Sequence, residues 1–427
     1  MSFSKLGLTP SLCQPLARLG YEQPTPIQER AIPTVLTGID LLARAQTGTG
    51  KTAAFGLPMI QRIAARRDDA RLRVPRGLVL VPTRELAAQV HRSLATYGAP
   101  TRLRVTAIFG GVGMGSQIQS LKQGADIVVA TPGRLLDHMQ RRTIDLSAIE
   151  ILTLDEADRM LDLGFLPALR RVIASLPRSR QTLLFSATLP DAVVRLSAEF
   201  TRHPAQVDAS DGQVATPTVT HHLHTVAVDQ KRAMLTHVLT REATRQALVF
   251  CKTKRGSDRV GEHLERAGVK VAVIHGNKSQ GARTRALGDF KAGKVNVLVA
   301  TDIAARGLDI AQLPLVINYD LPLVAEDYIH RVGRTGRAGR SGRAVSLVSA
   351  ADSRLLRDIQ RLLPAPLEHV AVPGFVATHV GRSIHAANRA REEFGTARNY
   401  RRVHRCQATT PSSGRGSSAS IAMYSSR

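Results

Sequence analysis

The sequence predicts an α/β fold with two tandem domains, each built on a parallel sheet that helices cover on both faces. Short apolar runs alternate with helix-like stretches, which is the pattern of strands buried inside a parallel sheet. This series occurs twice along the 427 residues, once in each half. A polar segment rich in small residues separates the two series, as a linker between domains would.

Ten short apolar runs are the predicted strands. In the first half they are GLVLVP from Gly77, VTAIF from Val105, DIVVATP from Asp126, ILTL from Ile151 and QTLLFSAT from Gln181. In the second half they are ALVFC from Ala247, VAVIHG from Val271, VNVLVATD from Val295, LVINY from Leu315 and GRAVSLVS from Gly342.

The domain boundaries follow from composition. Residues 207–220, VDASDGQVATPTVT, are the predicted linker, which places a first domain at 1–206 and a second domain at 221–375. The last segment, 376–427, is rich in arginine and then in serine and has no apolar period. Such a segment cannot bury a core, so we predict a largely disordered basic tail.

Charge indicates the class of partner. The chain carries 59 Lys and Arg against 34 Asp and Glu, a formal net charge of +25, which favours a polyanion. Aromatic residues are only 4% and Trp is absent, too few for an extended base-stacking surface, so we expect contacts to phosphate backbone with little sequence specificity. The three cysteines are isolated, which suits a reducing cytoplasm and argues against disulfides or zinc.

We expect no contact with membranes. No apolar run in the chain approaches the ~18 residues that a membrane-spanning helix needs. The first ten residues, MSFSKLGLTP, also lack the charged-then-apolar pattern of a secretory signal.

A phosphate-binding loop is predicted at AQTGTGKT, Ala45 to Thr52. Glycines at 48 and 50 would let backbone N–H groups curl around phosphate oxygens at the start of a helix. Lys51 would neutralise the β- and γ-phosphates, and the Thr52 hydroxyl would ligate Mg²⁺. Ala45 stands where the general pattern has glycine. On these residues alone, a glycine-rich turn that caps a helix is the alternative.

Three acids follow the predicted strand ILTL. The carboxyl ends of parallel strands form the edge where α/β sheets bind ligands, so Asp155 is predicted to hold Mg²⁺, directly or through water. Glu156 should point to the other side while the chain stays extended, and we assign it to the attacking water. The alternative is that Asp155, Glu156 and Asp158 favour the start of the next helix. The phosphate loop upstream favours the catalytic interpretation.

Arginines recur at every third residue in YIHRVGRTGRAGR, from Tyr328 to Arg340. Interspersed glycines leave the backbone free to approach a ligand, and guanidinium groups suit phosphate oxygens. Because the second half has no phosphate loop in its sequence, these arginines are predicted to reach the γ-phosphate from the other domain. A solvated basic loop that contacts nucleic acid is the alternative.

These motifs, in order and spacing from about Met1 to Ser349, resemble the DEAD-box ATP-dependent RNA helicases of superfamily 2, in particular the bacterial RhlE-like group. The resemblance implies two tandem RecA-like domains, and it accounts for Ala45, since the loop of this family begins with Ala. In the Q motif GYEQPTPIQ, Gln28 would read adenine, Tyr21 would stack near it, and Phe3 would support the loop. The implied ATP-binding residues are Phe3, Tyr21, Gln28, Ala45, Gln46, Thr47, Gly48, Thr49, Gly50, Lys51, Thr52 and Asp309, the last on the ribose.

The resemblance also assigns RNA, coupling and catalytic residues. Contacts to the RNA backbone are implied for Pro82, Thr83, Arg84, Gly110, Gly111, Thr131, Pro132, Gly133, Arg134, Gln280, Arg283 and Thr301. Coupling of hydrolysis to strand separation is implied for Asp158, Ser186, Ala187, Thr188, His330 and Arg331. The catalytic set is Lys51, Asp155, Glu156, Arg334 and Arg337, with Mg²⁺ on Thr52 and Asp155, partly through water.

The implied function is an RNA-dependent ATPase that locally and non-processively unwinds short RNA duplexes or remodels RNA–protein complexes. ATP and Mg²⁺ are the ligands, RNA is the partner, and a monomer is expected; ribosome-assembly or RNA-decay proteins are candidate protein partners. One alternative is an RNA chaperone or clamp that needs no hydrolysis, although a pure binder has no need of Lys51, Glu156 and Arg334 together. A DNA helicase of the same superfamily is another.

Overall fold

Two seven-stranded parallel sheets, one in each half of the chain, organise the fold. The computed structural model describes residues 2–46, 48–66, 74–209, 219–241, 246–305, 308, 310, 313–336, 341–363 and 367–375. The predicted tail at 376–427 and residues 210–218 of the predicted linker lie outside the described residues, as do Thr47, Asp309 and Arg337 of the predicted site.

The strands follow the apolar runs of the sequence. The first sheet contains β1 (Leu41–Arg44), β2 (Gly77–Leu80), β3 (Val105–Ile108), β4 (Ile127–Ala130), β5 (Ile151–Asp155), β6 (Gln181–Ser186) and β7 (Ala205–Asp208). The second contains β8 (Val219–Thr225), β9 (Ala247–Cys251), β10 (Val271–Ile274), β11 (Val297–Thr301), β12 (Leu315–Asn318), β13 (Gly342–Val348) and β14 (Glu368–His369). Each of the ten predicted strands is present and begins within two residues of its predicted start.

Helices connect the strands. In the first half they are α1 (Pro10–Arg18), α2 (Pro26–Thr37), α3 (Lys51–Ala65), α4 (Arg84–Gly98), α5 (Met114–Lys122), α6 (Pro132–Gln140), α7 (Ala157–Asp162), α8 (Leu166–Ala174) and α9 (Asp191–Phe200). In the second half they are α10 (Lys231–Arg241), α11 (Lys254–Arg266), α12 (Gln280–Lys291), α13 (Asp302–Ala305), α14 (Ala325–Val332) and α15 (Ser353–Leu362). Among the described residues, no helix is both long enough and apolar enough to cross a membrane.

The two sheets have the same strand order. The first reads β3-β4-β2-β5-β6-β1-β7 and the second β10-β11-β9-β12-β13-β8-β14, so each strand of the second occupies the place of the strand seven numbers earlier. All neighbouring strands pair in parallel, as in β2 with β5 and β9 with β12. This confirms the predicted fold class.

The continuous apolar runs reflect burial on both faces of each sheet. In β2, Val79 packs with residues of α1 to α4 on one face, whereas Leu78 and Leu80 pack with α6 to α9 on the other. In β9, Val249 faces α10 and α11, while Leu248 and Phe250 face α12 and α13. Successive side chains of a strand point to opposite faces of the sheet. When helices cover both faces, the side chains on each face must therefore be apolar.

Four strands do not appear among the predicted ones: β1, β7, β8 and β14. The predicted linker 207–220 needs correction at both ends, because Val207 and Asp208 end β7, while Val219 and Thr220 begin β8. β7 and β14, which lie at one edge of each sheet, are mostly polar and are partly or fully exposed except at Val207, so they lack the apolar run of a central strand. Backbone pairing with an inner neighbour, β1 or β8, makes them strands.

The strand order identifies the second-half counterpart of the phosphate-loop helix. β1 leads to α3, which begins at Lys51, and its counterpart β8 leads to α10, which begins at Lys231. Lys231 is buried, and its Nζ donates to Oδ2 of Asp352 at 3.0 Å and to the carbonyl of Tyr319 at 3.3 Å. The cation that corresponds to Lys51 therefore forms an internal ion pair that anchors α10 to the second sheet.

Candidate functional site

The predicted site residues lie at the carboxyl edge of the first sheet, where the strand order sorts them into two groups. The ends of the neighbouring strands β5, β6 and β1 carry Asp155, Ser186 and Ala45; we call this the ATP-motif half of the edge. The ends of β3, β4 and β2 carry Gly110, Thr131 and Pro82 and form the RNA-motif half. Residues far apart in sequence thus become neighbours because their strands pair.

The loop after β1 has the conformation that its glycines allow. Gly48 and Gly50 have φ of 86° and 93°, in the left-handed region that favours glycine. The backbone N–H of Ala45 donates to the carbonyl of Ser186 at 2.9 Å, and the Thr49 hydroxyl donates to the carbonyl of Gln46 at 2.8 Å. Lys51 and Thr52 then form the first turn of α3, so the N-terminus of a 15-residue helix faces the loop.

The Q motif is joined to this loop through Gln28. Gln28 is fully buried; its Oε1 accepts from the backbone N–H of Thr25 at 2.9 Å, which completes a capping box at the start of α2. Its Nε2 donates to the carbonyl of Gly50 at 3.1 Å. The residue predicted to read adenine therefore also holds the end of the phosphate loop.

The aromatic residues of the Q motif form a small cluster beside α2. The rings of Phe3 and Tyr21 meet edge to face at 6.5 Å, and so do those of Tyr21 and Tyr97. The hydroxyls of Tyr21 and Tyr97 are 3.3 Å apart. Phe3 is buried in the core of the first half, so its position fits the predicted supporting role behind Tyr21.

Replacing Gly50 by Ala is expected to weaken ATP binding at least tenfold. An added Cβ would overlap Nε2 of Gln28, and the left-handed φ of 93° costs a non-glycine residue ~1–3 kcal/mol. Titration with a fluorescent ATP analogue measures the effect. Gly288→Ala is the matched control, since a Cβ there meets no atom within 4 Å and lies within α12. Equal affinity of Gly50→Ala and the wild type would contradict the close approach of Gln28 to the loop.

Lys51 and Asp155 form a buried pair with unused hydrogen-bonding capacity. Nζ of Lys51 lies 3.9 Å from Oδ1 of Asp155, too far for a hydrogen bond, and both side chains are at most 6% exposed. Among the described residues, neither of these two atoms has a hydrogen-bond partner. Burial raises the pKa of Asp155 to about 6, although the Lys51 charge opposes the rise.

These two atoms fit a phosphate and a divalent cation. A buried ammonium and a buried carboxylate oxygen without partners are costly, and bound ligands would satisfy them. Phosphate oxygens suit Lys51, and Mg²⁺ suits the oxygens of Asp155 and Thr52. The donor set is therefore of the kind that Mg²⁺ with a nucleotide phosphate would complete.

Glu156 is placed by a strained turn rather than by an extended strand. β5 ends at Asp155, and Glu156 has φ 57° and ψ 53°, in the left-handed region. The expectation that an extended chain separates Asp155 from Glu156 was therefore wrong, because the chain turns between β5 and α7. A non-glycine residue in this conformation costs ~1–3 kcal/mol, and such strain concentrates at functional sites.

Glu156 faces residues of the second half across a cavity. The cavity has a volume of about 340 Å³, and Glu156, Asp158 and Thr188 line it together with His330 and Arg334. Arg334 is 7% exposed, and its Nη1 donates to the carbonyl of Leu308 at 2.8 Å. The predicted water-orienting acid and a predicted arginine finger thus line one space.

Asp158 binds the SAT segment directly. Its Oδ2 accepts from the backbone N–H groups of Ala187 and Thr188, at 3.1 and 2.9 Å, and from the Thr188 hydroxyl at 2.9 Å. The hydroxyl of Ser186 donates to the Thr188 carbonyl at 2.6 Å. The four first-half residues predicted to couple hydrolysis to strand separation therefore form one hydrogen-bonded unit between β6 and α7.

Arg331 is an internal anchor of the second half. Its Nε and Nη2 donate to the two carboxylate oxygens of Asp302 at 2.6 and 2.7 Å, and its guanidinium lies 4.9 Å from the ring centre of Phe250. Arg331 thereby fixes α14, which carries His330, against the end of β11. This supports an indirect contribution of Arg331 to the site, through the position of α14.

The RNA-motif residues of the first half contact one another. The guanidinium of Arg84 packs so closely on Gly110 and Gly111 that a Cβ at Gly111 would overlap it. Nη1 of Arg134, in α6, donates to the carbonyl of Val112 at 3.1 Å. Thr83 caps α4, and Thr131, Pro132 and Gly133 open α6. The loops after β2, β3 and β4 thus form one surface.

Gln280 and Arg283 meet this surface from the second half, through a residue that the sequence did not single out. Nη2 of Arg283 lies 2.8 Å from Oε1 of Glu85, and Nε2 of Gln280 donates to the same oxygen at 3.1 Å. Arg283 is 10% and Glu85 8% exposed. Glu85 lies inside PTRELA, but a carboxylate on a surface expected to bind RNA gave no reason to select it. Thr301, also predicted to contact RNA, is buried at the end of β11.

Comparison with known proteins agrees with this arrangement. A model of the DEAD/DEAH box helicase family matches residues 25–196, and one of the helicase conserved C-terminal domain matches residues 230–339. The ATP-dependent RNA helicase DeaD of Escherichia coli is 43% identical over 373 residues, which cover 87% of this chain and 58% of that protein. The DEAD-box ATP-dependent RNA helicase CshA of Bacillus cereus is 41% identical over 372 residues, covering 87% and 70%.

A solved structure is similar over both halves. S. cerevisiae Dbp5 bound to RNA and ADP BeF3 has a TM-score of 0.75 and 33% identity, covering 84% of this chain and 93% of that chain. The matched region of our chain spans less than two thirds of DeaD. The motifs, the duplicated sheet order and these similarities together show that this chain, with its tandem RecA-like sheets, belongs to the DEAD-box family of ATP-dependent RNA helicases.

Proposed function

We propose that this protein is an RNA-dependent ATPase that separates short RNA duplexes, or remodels RNA–protein complexes, locally and without tracking along the strand. The observation that carries the proposal is the cavity that Glu156 and Arg334 share, because it places a hydrolytic acid of one half opposite a cation of the other. The cavity lies next to the buried Lys51–Asp155 pair, and this position favours a nucleoside triphosphate as the ligand.

In the proposed reaction, the loop after β1 and Lys51 hold the β- and γ-phosphates of ATP. Asp155 and Thr52 would hold Mg²⁺, in part through water, and the ion would supply charge neutralisation on the phosphate oxygens. Glu156 accepts a hydrogen bond and then a proton from the attacking water. The water oxygen bonds to the γ-phosphorus as the bond to the β-phosphate oxygen breaks, and Arg334 stabilises the charge that develops. Arg337 and Asp309 are assigned to the finger and the ribose by their motifs.

We propose that RNA binds to the surface that contains Arg84 and Arg134. Guanidinium groups and helix N-termini at the ends of β2, β3 and β4 suit a phosphate backbone. Glu85 joins this surface to Arg283 of the second half. We propose that one closed arrangement therefore satisfies both the RNA surface and the Glu156–Arg334 cavity, which makes ATP and RNA binding cooperative.

The relatives support the same activity. DeaD and CshA are named as ATP-dependent RNA helicases, and Dbp5 was solved with RNA and a nucleotide bound. The net charge of +25 would serve an RNA chaperone or clamp equally well. The catalytic arrangement of Lys51, Glu156 and Arg334 favours the enzyme over that alternative.

Strand displacement distinguishes the two functions. We expect release of a labelled strand from a short RNA duplex with ATP, much less release with a non-hydrolysable analogue under multiple-turnover conditions, and a steep fall with duplex length. A chaperone or clamp would act equally well with the analogue or without nucleotide, and that result would overturn the proposal. A matched DNA duplex tests the DNA-helicase alternative.

Replacing Glu85 by Gln is expected to raise the RNA concentration for half-maximal ATPase stimulation about tenfold. Removing the charge of Glu85 leaves the charge of Arg283 buried and unpaired. This destabilises only the closed arrangement, in which the two halves are in contact. RNA titrations of ATP turnover measure it, with Glu262→Gln as control because Glu262 forms an exposed pair with Arg266 in α11. Equal responses of the two variants would show that the contact of Glu85 with Arg283 does not stabilise closure.

The remaining assignments are part of the proposal. We place the first domain at 1–206 and the second at 221–375, with β7 and β8 extending into the 207–220 connection. We further propose a cytoplasmic location, which the isolated cysteines and the lack of a long apolar run in the sequence support, while a monomer stays a prediction. Assignment to the RhlE-like group and the candidate partners in ribosome assembly or RNA decay stay predictions of the family resemblance.

A further inference from the structure

A second cavity lies at the opposite edge of the first sheet from the ATP motifs. It has a volume of about 520 Å³ and is bounded by the starts of β5 and β6 and by the C-terminal ends of α2 and α3. Arg62, Arg66 and Arg180 line it, together with Glu150 and Gln181. At ~3.3 Å per residue, the five residues of β5 separate its start from Asp155 by roughly 13 Å, so this is a different location from the ATP-motif half.

The cavity gathers positive charge. Three arginines and one glutamate line it, which gives a formal net charge of +2. The glutamate, Glu150, is already engaged, because Nε of Arg76 lies 2.6 Å from its Oε1, whereas Arg66 is 3.8 Å from its other oxygen. Glu150 therefore forms its closest ion pair with Arg76, and its single charge, which also pairs with Arg66 and favours the protonated form of Arg62, only partly offsets the three arginines that line the cavity.

Two of these arginines are partly buried, and among the described residues neither of them forms an ion pair. Within the same residues, Arg62 donates to neutral groups, the carbonyl of Val35 at 3.3 Å and the side chain of Gln181. Arg180 donates from Nη1 to the carbonyl of Pro177 at 2.9 Å, and within the described part of the chain no acceptor reaches its buried Nε. Burial lowers the pKa of both guanidinium groups, and the nearby Arg66 lowers that of Arg62 further.

The charge of Asp40 acts on Arg180, but the Asp40 carboxylate has other hydrogen-bond partners. It accepts from the backbone N–H groups of Thr182 and Arg202, each at 2.7 Å. Its charge favours the protonated form of Arg180 without forming a direct ion pair in the cavity. Desolvated cations that repel each other and lack a paired anion are costly, and a bound anion would remove that cost.

We propose that this cavity binds a phosphoryl group, as a second anion site separate from the ATP site. Guanidinium forks match phosphate oxygens with paired hydrogen bonds, and Arg62, Arg66 and Arg180 surround the cavity from α3 and from the turn before β6. The volume lies in the ~300–1,000 Å³ range of small-molecule sites. The phosphoryl group can belong to a small polyphosphate or to the 5′ end of an RNA.

Calorimetric titration of the full-length protein with inorganic pyrophosphate tests the proposal. We expect two sites, one lost in Lys51→Ala and the other weakened on the order of tenfold in Arg66→Gln and in Arg180→Gln. Arg171→Gln, at an exposed position of α8, is the matched control and should bind as the wild type does. Unchanged circular dichroism verifies that all the variants fold, and unchanged ATP-analogue affinity verifies it further for the arginine variants.

The outcomes separate this site from the proposed activity. A single pyrophosphate site that depends on Lys51 and not on Arg66 or Arg180 would overturn the second site and leave the ATPase proposal intact. If two sites are found, competition identifies the source of the phosphoryl group. Displacement by a 5′-phosphorylated but not a 5′-hydroxyl oligoribonucleotide assigns RNA ends, and displacement by tripolyphosphate alone assigns the small anion.

Discussion

Replacing Glu156 by Gln is expected to lower RNA-stimulated ATP turnover by about 10²–10⁴-fold, the usual contribution of a positioned general base. Glutamine keeps the size of the side chain and its carbonyl oxygen but cannot accept a proton from water. Because Lys51 and Asp155 remain in place, ATP and RNA should bind as in the wild type. Steady-state turnover, with binding of a fluorescent ATP analogue measured in parallel, separates the two effects.

Asp162→Asn is the matched control for Glu156→Gln. Asp162 lines the same cavity, but its carboxylate is 63% exposed and pairs with Arg159 on the surface. Its conversion to an amide should leave turnover within about twofold, since exposed pairs contribute little. Full turnover in Glu156→Gln would remove the assignment of Glu156 to the attacking water.

Replacing Arg334 by Lys is expected to lower the rate of ATP hydrolysis by about 10³-fold or more, the range of arginine fingers in phosphoryl transfer. Lysine keeps the charge but lacks the planar fork, and it cannot both donate to the Leu308 carbonyl and reach into the cavity. Single-turnover hydrolysis with saturating RNA reports on chemistry and not on product release.

Arg361→Lys serves as the control, because Arg361 in α15 is 79% exposed and pairs only locally, with Asp358. RNA affinity measured in the presence of an ATP analogue should stay within a few-fold in Arg334→Lys. A hydrolysis rate within tenfold of the wild type would contradict the role of Arg334 as a finger from the second half. It would favour the alternative of a basic segment that contacts nucleic acid.

Most inner strands and the edge strands β3 and β10 could be predicted from the sequence, whereas the polar edge strands β7 and β14 could not. Strands such as β2 and β9 are apolar on both faces because helices cover both faces, so their composition alone reveals them. β7 and β14 are strands because their backbones pair with β1 and β8. Polar residues such as Gln206 and Glu368 interrupt the apolar pattern that would have predicted these strands. The ends of the predicted linker were misplaced for the same reason.

The site motifs could be predicted because their chemistry is local. A glycine-rich loop ending in Lys51, and acids at the end of β5, follow from spacing in one segment of the chain. The left-handed turn at Glu156 could not be predicted, since strand alternation says nothing about where a strand stops. Glu85 was missed because its partners, Gln280 and Arg283, lie almost 200 residues away and only the packed structure brings them together.

If one edge of the first sheet binds both ATP and RNA, as we propose, the spread of the motifs along both halves is accounted for. In the first sheet, β5, β6 and β1 carry the predicted ATP motifs, whereas β3, β4 and β2 carry the predicted RNA motifs. The duplicated order in the second sheet places Thr301 at the end of β11 and Gln280 after β10, and these strands are the counterparts of β4 and β3. When the two halves close, the predicted RNA motifs of the first half can therefore contact those of the second half, as Glu85 and Arg283 do.

ATP hydrolysis by the wild-type protein with and without RNA tests the central claim most directly. If closure of the two halves requires both ligands, saturating single-stranded RNA should raise kcat/KM for ATP at least tenfold, which corresponds to ~1.4 kcal/mol of coupling. The same preparation should show the reciprocal effect, with tighter RNA binding in the presence of an ATP analogue. Equal hydrolysis rates with and without RNA would contradict the account.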